Sequence, residues 1–166
     1  MQKSSSYFVS LMLGIISIFL LFIAFVAEYK FSILPCSLCI YERYVYGFLA
    51  TLSVLYYFIQ NRKIIYLQLI ALIVGAALSF YHVGVESHWW KGLESCSGSF
   101  NLSLNDKMTT QQKVEVLRQK LSNAPVVRCD EVNWRVFGIS ATIWNLLVFM
   151  GLTGVFGYFV QKSTNP

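Results

Sequence analysis

The chain has 166 residues, 56% of them hydrophobic and only 13% charged, and its mean hydropathy is +0.56. That length suits one domain, and the composition excludes an ordinary soluble surface and points to the membrane class. The formal net charge of +5 does not indicate nucleic acid, because the basic residues are scattered and form no patch or stripe.

The first predicted element runs from Tyr7 to Ala27, 21 residues without a charge. At helical rise it is roughly 31 Å long, enough to cross a hydrocarbon core. A signal peptide fits less well: the apolar run is too long for an h-region and no A-x-A site closes it. A second apolar segment spans about 39–59 and carries Glu42 and Arg43 near its start; a third spans about 64–85. Only Asn61, Arg62 and Lys63 separate them, which predicts a tight hairpin. The one sizeable polar region, about 86–135, precedes a fourth apolar segment at about 137–160. The expected fold is all-α: a four-helix transmembrane bundle forming a single integral membrane domain over 1–166, with one large loop.

Four crossings put both termini and the 61–63 turn on one side, and the 28–35 connection and the large loop on the other. All four cysteines, Cys36, Cys39, Cys96 and Cys129, then lie near one face. Lys3, Arg62, Lys63 and Lys162 make the first side basic without acids, as cytoplasmic ends are. The large loop holds seven Lys/Arg, but six Asp/Glu nearly cancel them. Paired cysteines also belong where disulfides persist. Three stripes of small and polar residues at helical spacing suit close interhelical packing: Ser10–Gly14–Ser17–Leu21–Ala24, Cys39–Arg43–Gly47–Ala50 and Gln68–Leu72–Gly75–Ser79–His82. They direct Cys39, Arg43 and His82 toward other helices.

Pro35-Cys36-Ser37-Leu38-Cys39-Ile40-Tyr41-Glu42-Arg43 is the most informative stretch. Proline suits a helix start, so both cysteines are expected in the first turn, where unpaired N–H groups and the helix dipole favour a thiolate. Arg43 lies four residues after Cys39, one turn deeper on the same face. A cation at membrane depth is costly and marks function; this one can stabilise the Cys39 thiolate or hydrogen-bond a quinone carbonyl. Other readings stay open. Cys36 and Cys39 can form a structural disulfide. The four cysteines can bind zinc, although Cys96 and Cys129 lack the usual spacing. Arg43 can pair with Glu42 or reach the interface. His82 can be a packing residue. His88, Trp89 and Trp90 read as interfacial.

Within the loop, Thr109 to Gln112 carries a capping-box pattern, followed by Val114, Leu117 and Leu121 at spacings of three and four. This predicts a short, weakly amphipathic helix, which either lies on the membrane and keeps Cys129 near Cys36 or is a solvated helix that closes the loop. Pro125 ends it, and Gly98 and nearby serines leave Cys96 accessible.

The motif around Cys36 and Cys39, the later cysteine pair, and Cys129-Asp130-Glu131-Val132-Asn133-Trp134 through Phe137-Gly138 and Trp144 resemble the DsbB family of bacterial disulfide-forming membrane proteins. The resemblance covers nearly the whole chain. It implies a periplasmic loop, an inner-membrane location with cytoplasmic termini, and a thiol relay. In it Cys96 forms a mixed disulfide with a DsbA-like periplasmic thioredoxin-fold partner, Cys129 attacks Cys36, and Cys39 faces ubiquinone or menaquinone. Arg43 and His82 match residues near the quinone. Two alternatives are a non-catalytic membrane scaffold with structural disulfides and a vitamin K epoxide reductase-like enzyme. The second expects the cysteine pairs in the reverse order.

Overall fold

The structure, a computed structural model, describes residues 2–92, 127–132 and 134–164, together with positions 109, 111, 114, 115 and 118. Four long helices dominate it: α1 (Gln2–Phe31), α2 (Ser37–Ile59), α3 (Arg62–Glu86) and α4 (Ala141–Thr164). Each packs against its neighbours in sequence, and α1 closes the ring against α4.

The helix ends follow from local chemistry. Gln60 takes a left-handed conformation (φ 50°), and its N–H bonds Tyr56 O at 3.0 Å. Asn61 then caps α3, its side chain accepting from Lys63 N at 3.0 Å. The α2–α3 turn is therefore shorter than the expected 61–63. At the far end of α3, the N–H groups of His88 and Trp89 bond Val85 O and Gly84 O. His88 sits at φ 59°. This is a Schellman cap with histidine where glycine is usual.

Helix α4 begins at Ala141 rather than near 137. Arg135–Val136 and Ile139–Ser140 form an antiparallel two-residue ladder, β1 and β2. Phe137 (φ 52°) and Gly138 (φ 82°) make its turn. Left-handed values at both central positions define the tight hairpin turn that glycine favours, and this delays the helix by four residues. The all-α expectation holds for the bulk of the fold and is corrected by this ladder. In the loop, Gln111, Val114, Glu115 and Arg118 are helical. Leu117 and Leu121, on which the amphipathic reading rested, lie outside the described residues, as does Cys96.

The bundle is polar within and apolar without. Ser10, Ser17, Glu42, Ser53, Gln68, Ser79 and His82 are buried, while Phe8, Phe19, Phe22, Phe58 and Ile70 are more than half exposed. A soluble protein distributes these the other way. Among the described residues, α1, α3 and α4 are long and apolar enough to cross a membrane; α2, of 23 residues, carries Glu42, Arg43 and five tyrosines. The core joins Leu49, Leu72 and Phe149, all at 0% exposure, with Tyr46, Tyr56 and Phe156. Gly75 makes room for the Phe149 ring, which stacks on Tyr46 at 4.5 Å between centroids.

The inner faces of α1 and α3 match the expected stripes at Ser10, Gly14, Ser17, Gln68, Leu72, Gly75, Ser79 and His82. Helix α2 is turned by one position. Its buried face is Leu38, Glu42, Tyr46, Leu49, Ser53 and Tyr56, not Cys39–Arg43–Gly47–Ala50, and Gly47 meets nothing within 4 Å. Gln68 explains part of the turn: its side chain bonds Ser10 and Ser53, tying α3 to α1 and α2. Among the described residues, every buried side-chain nitrogen and oxygen has a partner, as a water-free surrounding demands.

Candidate functional site

Cys36, Cys39 and Cys129 gather where α1 ends, α2 and α4 begin and α3 ends. Cys36 is not in the first turn of α2 but is its N-cap, with extended backbone (φ −75°, ψ 169°) and its sulfur accepting from Cys39 N at 3.3 Å. That contact satisfies one of the orphan donors of the helix start and holds both sulfurs on one side. They lie 2.8 Å apart as thiols, so closing a disulfide takes a movement of about 0.8 Å. Cys129 reaches the same buried cluster as Cys36, Leu38 and Val85 and is 1% exposed. Three of the four cysteines singled out in the sequence are thus brought together.

His82 joins them from α3. Its Nε2 is 3.4 Å from Cys36 Sγ and its Nδ1 is 3.2 Å from Glu42 Oε1. Glu42 also accepts from Ser79 Oγ at 2.9 Å, Ser79 from Asn145 Nδ2 at 3.2 Å, and Asn145 Oδ1 from Tyr46 OH at 2.7 Å. A continuous polar chain therefore descends from Cys36 into the bundle. Cys36, Cys39 and His82 place three possible metal ligands within 4.8 Å of one another. Two thiolates on a tetrahedral zinc stand about 3.8 Å apart, and the 2.8 Å separation here suits sulfur–sulfur chemistry better.

Arg43 points to α1. It pairs with Glu28, donates to Ala24 O at 3.3 Å and lies 5.4 Å over the Phe25 ring. The pairing with Glu42 that the sequence allowed is not made. Cys36, Cys39, Arg43 and His82 all line one cavity of about 410 Å³, within the roughly 300–1,000 Å³ usual for small-molecule sites. Leu20, Ile23, Val148 and Trp144 supply apolar wall. The cavity therefore has the size, apolar walls and few polar groups that a quinone ring needs, with Arg43 keeping N–H donors beyond the two engaged.

Two carboxylates flank this end. Glu86 accepts from the hydroxyls of Ser140 and Thr142, and Ser140 Oγ caps α4 by accepting from Thr142 N. Asp130, next to Cys129, forms a two-point pair with Arg128 at 2.9 and 2.6 Å. The guanidinium holds the Asp130 carboxyl below the usual carboxylate range.

Sequence reasoning passed over Glu42, Glu28 and Asn145. The available signal is residue type: a polar or ionisable residue inside an apolar helix is costly there and points to a functional site.

Fold and site define a helical membrane protein with a buried dithiol beside an apolar cavity. Its relatives agree. The family model described as "Disulfide bond formation protein DsbB" matches residues 6–159, and the chain belongs to the DsbB family. It is 30% identical over 152 residues to a disulfide bond formation protein B of Stutzerimonas stutzeri, covering 89% of this chain and 88% of that one. It is 28% identical over 156 residues to its counterpart from Haemophilus influenzae, covering 89% and 82%. An uncharacterized protein of Rickettsia prowazekii is 30% identical over 159 residues, covering 91% and 89%. No solved structure matches. The chain is thus a member of a disulfide-forming family, all-helical in its bulk, with membrane-spanning helices.

Proposed function

We propose that this protein is a thiol:disulfide oxidoreductase of the bacterial inner membrane. It reoxidises a periplasmic DsbA-like dithiol protein and delivers the electrons to the membrane quinone pool. The carrying observation is the meeting of Cys36, Cys39 and Cys129, the first two at the wall of an apolar cavity that Arg43 also lines.

In this reading 1–166 is one membrane domain, and α2 crosses with the other three helices because it is packed between α1 and α3 along its length. Both termini are cytoplasmic and the loop is periplasmic. Cys96 forms the mixed disulfide with the partner. Cys129 is released and attacks Cys36 Sγ, a bond forming between them as the Cys36–Cys39 bond breaks, and Cys39 leaves as thiolate with the electron pair. That exchange needs a thiolate attacker and sulfurs able to approach in line, and the clustering of Cys129 with Cys36 supports it. The N-terminal turn of α2 favours the Cys39 thiolate through its N–H groups and dipole. A quinone in the cavity, ubiquinone or menaquinone, would supply the acceptor for two electrons and two protons. Cys39 lines that space as donor, Arg43 offers a cation to an acceptor oxygen, and apolar walls exclude water.

The test is anaerobic. Purified protein, a reduced DsbA-like partner and ubiquinone are mixed without oxygen and the quinone absorbance is followed. The enzyme bleaches one quinone per partner disulfide formed; a scaffold with structural disulfides leaves the absorbance unchanged.

A further inference from the structure

Buried ionisable pairs beside a redox-active sulfur need a reason, because each is costly in a low-dielectric interior. Glu42 is 6% exposed and His82 2%. Neither is given a proton by the relay described above. Their order in space is Glu42, then His82, then Cys36, each step within 3.4 Å.

We propose that His82 is the proton acceptor for the Cys36 thiol, and that Glu42 is the positioning residue that holds the imidazole with Nε2 toward sulfur. The inference rests on the oxidoreductase reading and adds the proton path to it.

A carboxylate accepts but does not donate, so the hydrogen bond from Nδ1 to Glu42 fixes the proton on Nδ1 and leaves Nε2 with its lone pair toward Cys36. The same second-partner logic orients imidazoles in nucleophile–base–acid triads. Ser79 donates to the same Glu42 oxygen and Asn145 donates to Ser79. Both bonds keep Glu42 an acceptor and stop it from rotating.

The step balances as follows. The Cys36 S–H bond breaks, the proton moves to His82 Nε2, and the electron pair stays on sulfur. Cys36 then bonds Cys39. Cys36 is available as a thiol once Cys96 closes back on Cys129 and releases it, with Cys39 still the thiolate. Closing the bond from one thiol and one thiolate releases two electrons and one proton. The quinone of the proposed reaction takes both electrons, the proton that the imidazolium passes on, and a second proton from the water that received the partner's other thiol proton, and leaves as the quinol.

The groups facing His82 are few. From α2 these are Glu42, Cys36 and Cys39; from the segment before β1, Cys129. On the cavity wall, Arg43 is neutralised by Glu28 of α1, α2 adds Tyr46, α3 adds Glu86, engaged by Ser140 and Thr142, the segment before β1 adds Glu131, paired with Arg128, and α4 offers the neutral Asn145.

Alkylation of Cys36 tests this without quinone turnover. With Cys39, Cys96 and Cys129 all changed to serine, Cys36 is the sole thiol, and its rate with iodoacetamide is followed from pH 5 to 9 in the full chain in detergent. Glu42→Gln is expected to lower the rate at pH 6.5 roughly tenfold and to move the profile about one pH unit upward. His82→Asn is expected to do the same. Superimposable profiles overturn the proposal. If Glu42→Gln does not fold, the second measurement decides. His88→Gln leaves His82 as the only histidine, and its ¹⁵N shifts report the tautomer. A proton on Nδ1 with Nε2 bare, or an imidazolium, is expected; a neutral ring protonated on Nε2 overturns the assignment. Failure of the oxidoreductase reading shows separately, as absent quinone bleaching by the unaltered protein.

Discussion

Tyr46 and Asn145, 99 residues apart in sequence, meet across the diagonal of the bundle through a 2.7 Å hydrogen bond. The bond joins α2 to α4 beside the stack of Tyr46 on Phe149, and forms the lower end of the polar chain leading up to Cys36. A hydroxyl and an amide enclosed by helices have no water to turn to, so the contact fixes the register of α2 against α4 and hence the height of Glu42 opposite His82.

Loss of that bond has a bounded cost. Interhelical hydrogen bonds in membrane proteins average about 0.6 kcal/mol and reach about 1.7 kcal/mol. Tyr46→Phe keeps the stacking on Phe149 and is expected to destabilise by an amount in that range, read as a lower midpoint in a detergent unfolding curve. No measurable change would show the bond to be incidental.

Gly75 and Gly47 offer a contrast within one protein. A methyl on Gly75 collides with the Phe149 ring, which is fully buried, whereas one on Gly47 meets nothing within 4 Å. Gly75→Ala is expected to cost about 1–3 kcal/mol, the range for overpacking. Gly47→Ala is expected to be neutral or to stabilise α2 by up to about 1 kcal/mol. Equal melting temperatures for the two variants would contradict the packing described for α2.

Arg43 is held by Glu28 and by Ala24 O, so its guanidinium is fixed before any acceptor arrives. Arg43→Met is expected to raise the KM for quinone at least tenfold while leaving thiol exchange with the partner within twofold. Glu28→Gln is expected to act in the same direction but less. Kinetics with quinone and partner varied separately distinguish this from general damage, which lowers both.

The Arg128–Asp130 pair beside Cys129 gives a pH dependence. Asp130 has a folded-state pKa below its unfolded value, so its contribution is complete above the unfolded pKa. It is lost as pH falls below about 4 through the folded value. Arg128 is an exposed partner, so solvent screens the pair and its contribution is small. Hydrogen exchange over 127–132, referred to intrinsic rates, is expected to quicken up to about fivefold on acidification. Asp130→Asn should show the faster rate already at neutral pH. Identical protection in the two proteins would leave the pair without a role in holding this segment.

Most of the bundle could be read from the sequence because apolar length is an unambiguous signal, and α1 and α3 present the small and polar faces that their spacing suggests. Helix α2 was misread by one position. The rule favoured small residues, but here the interior is filled by Leu38, Glu42, Tyr46 and Leu49, whose polar members find partners on α3 and α4. Which of two adjacent residues, Glu42 or Arg43, faces inward is decided by those tertiary partners, so no local pattern holds the answer. Phe137-Gly138 was absorbed into the fourth helix because an apolar residue and a glycine fit a membrane span; only their left-handed backbone shows a turn. The cysteine end was legible from Pro35 and the two-residue spacing, while the approach of Cys129 depends on a chain path that sequence does not fix.

The proposed flow of electrons from the loop into the bundle stands on the meeting of Cys129 with Cys36. Its most direct measurement is a disulfide map of the Cys39→Ser, Cys96→Ser protein after mild oxidation, by proteolysis and mass spectrometry under non-reducing conditions. The account predicts a Cys36–Cys129 linked peptide in the majority of molecules. Recovery of both cysteines as separate alkylated peptides after the same treatment would contradict it.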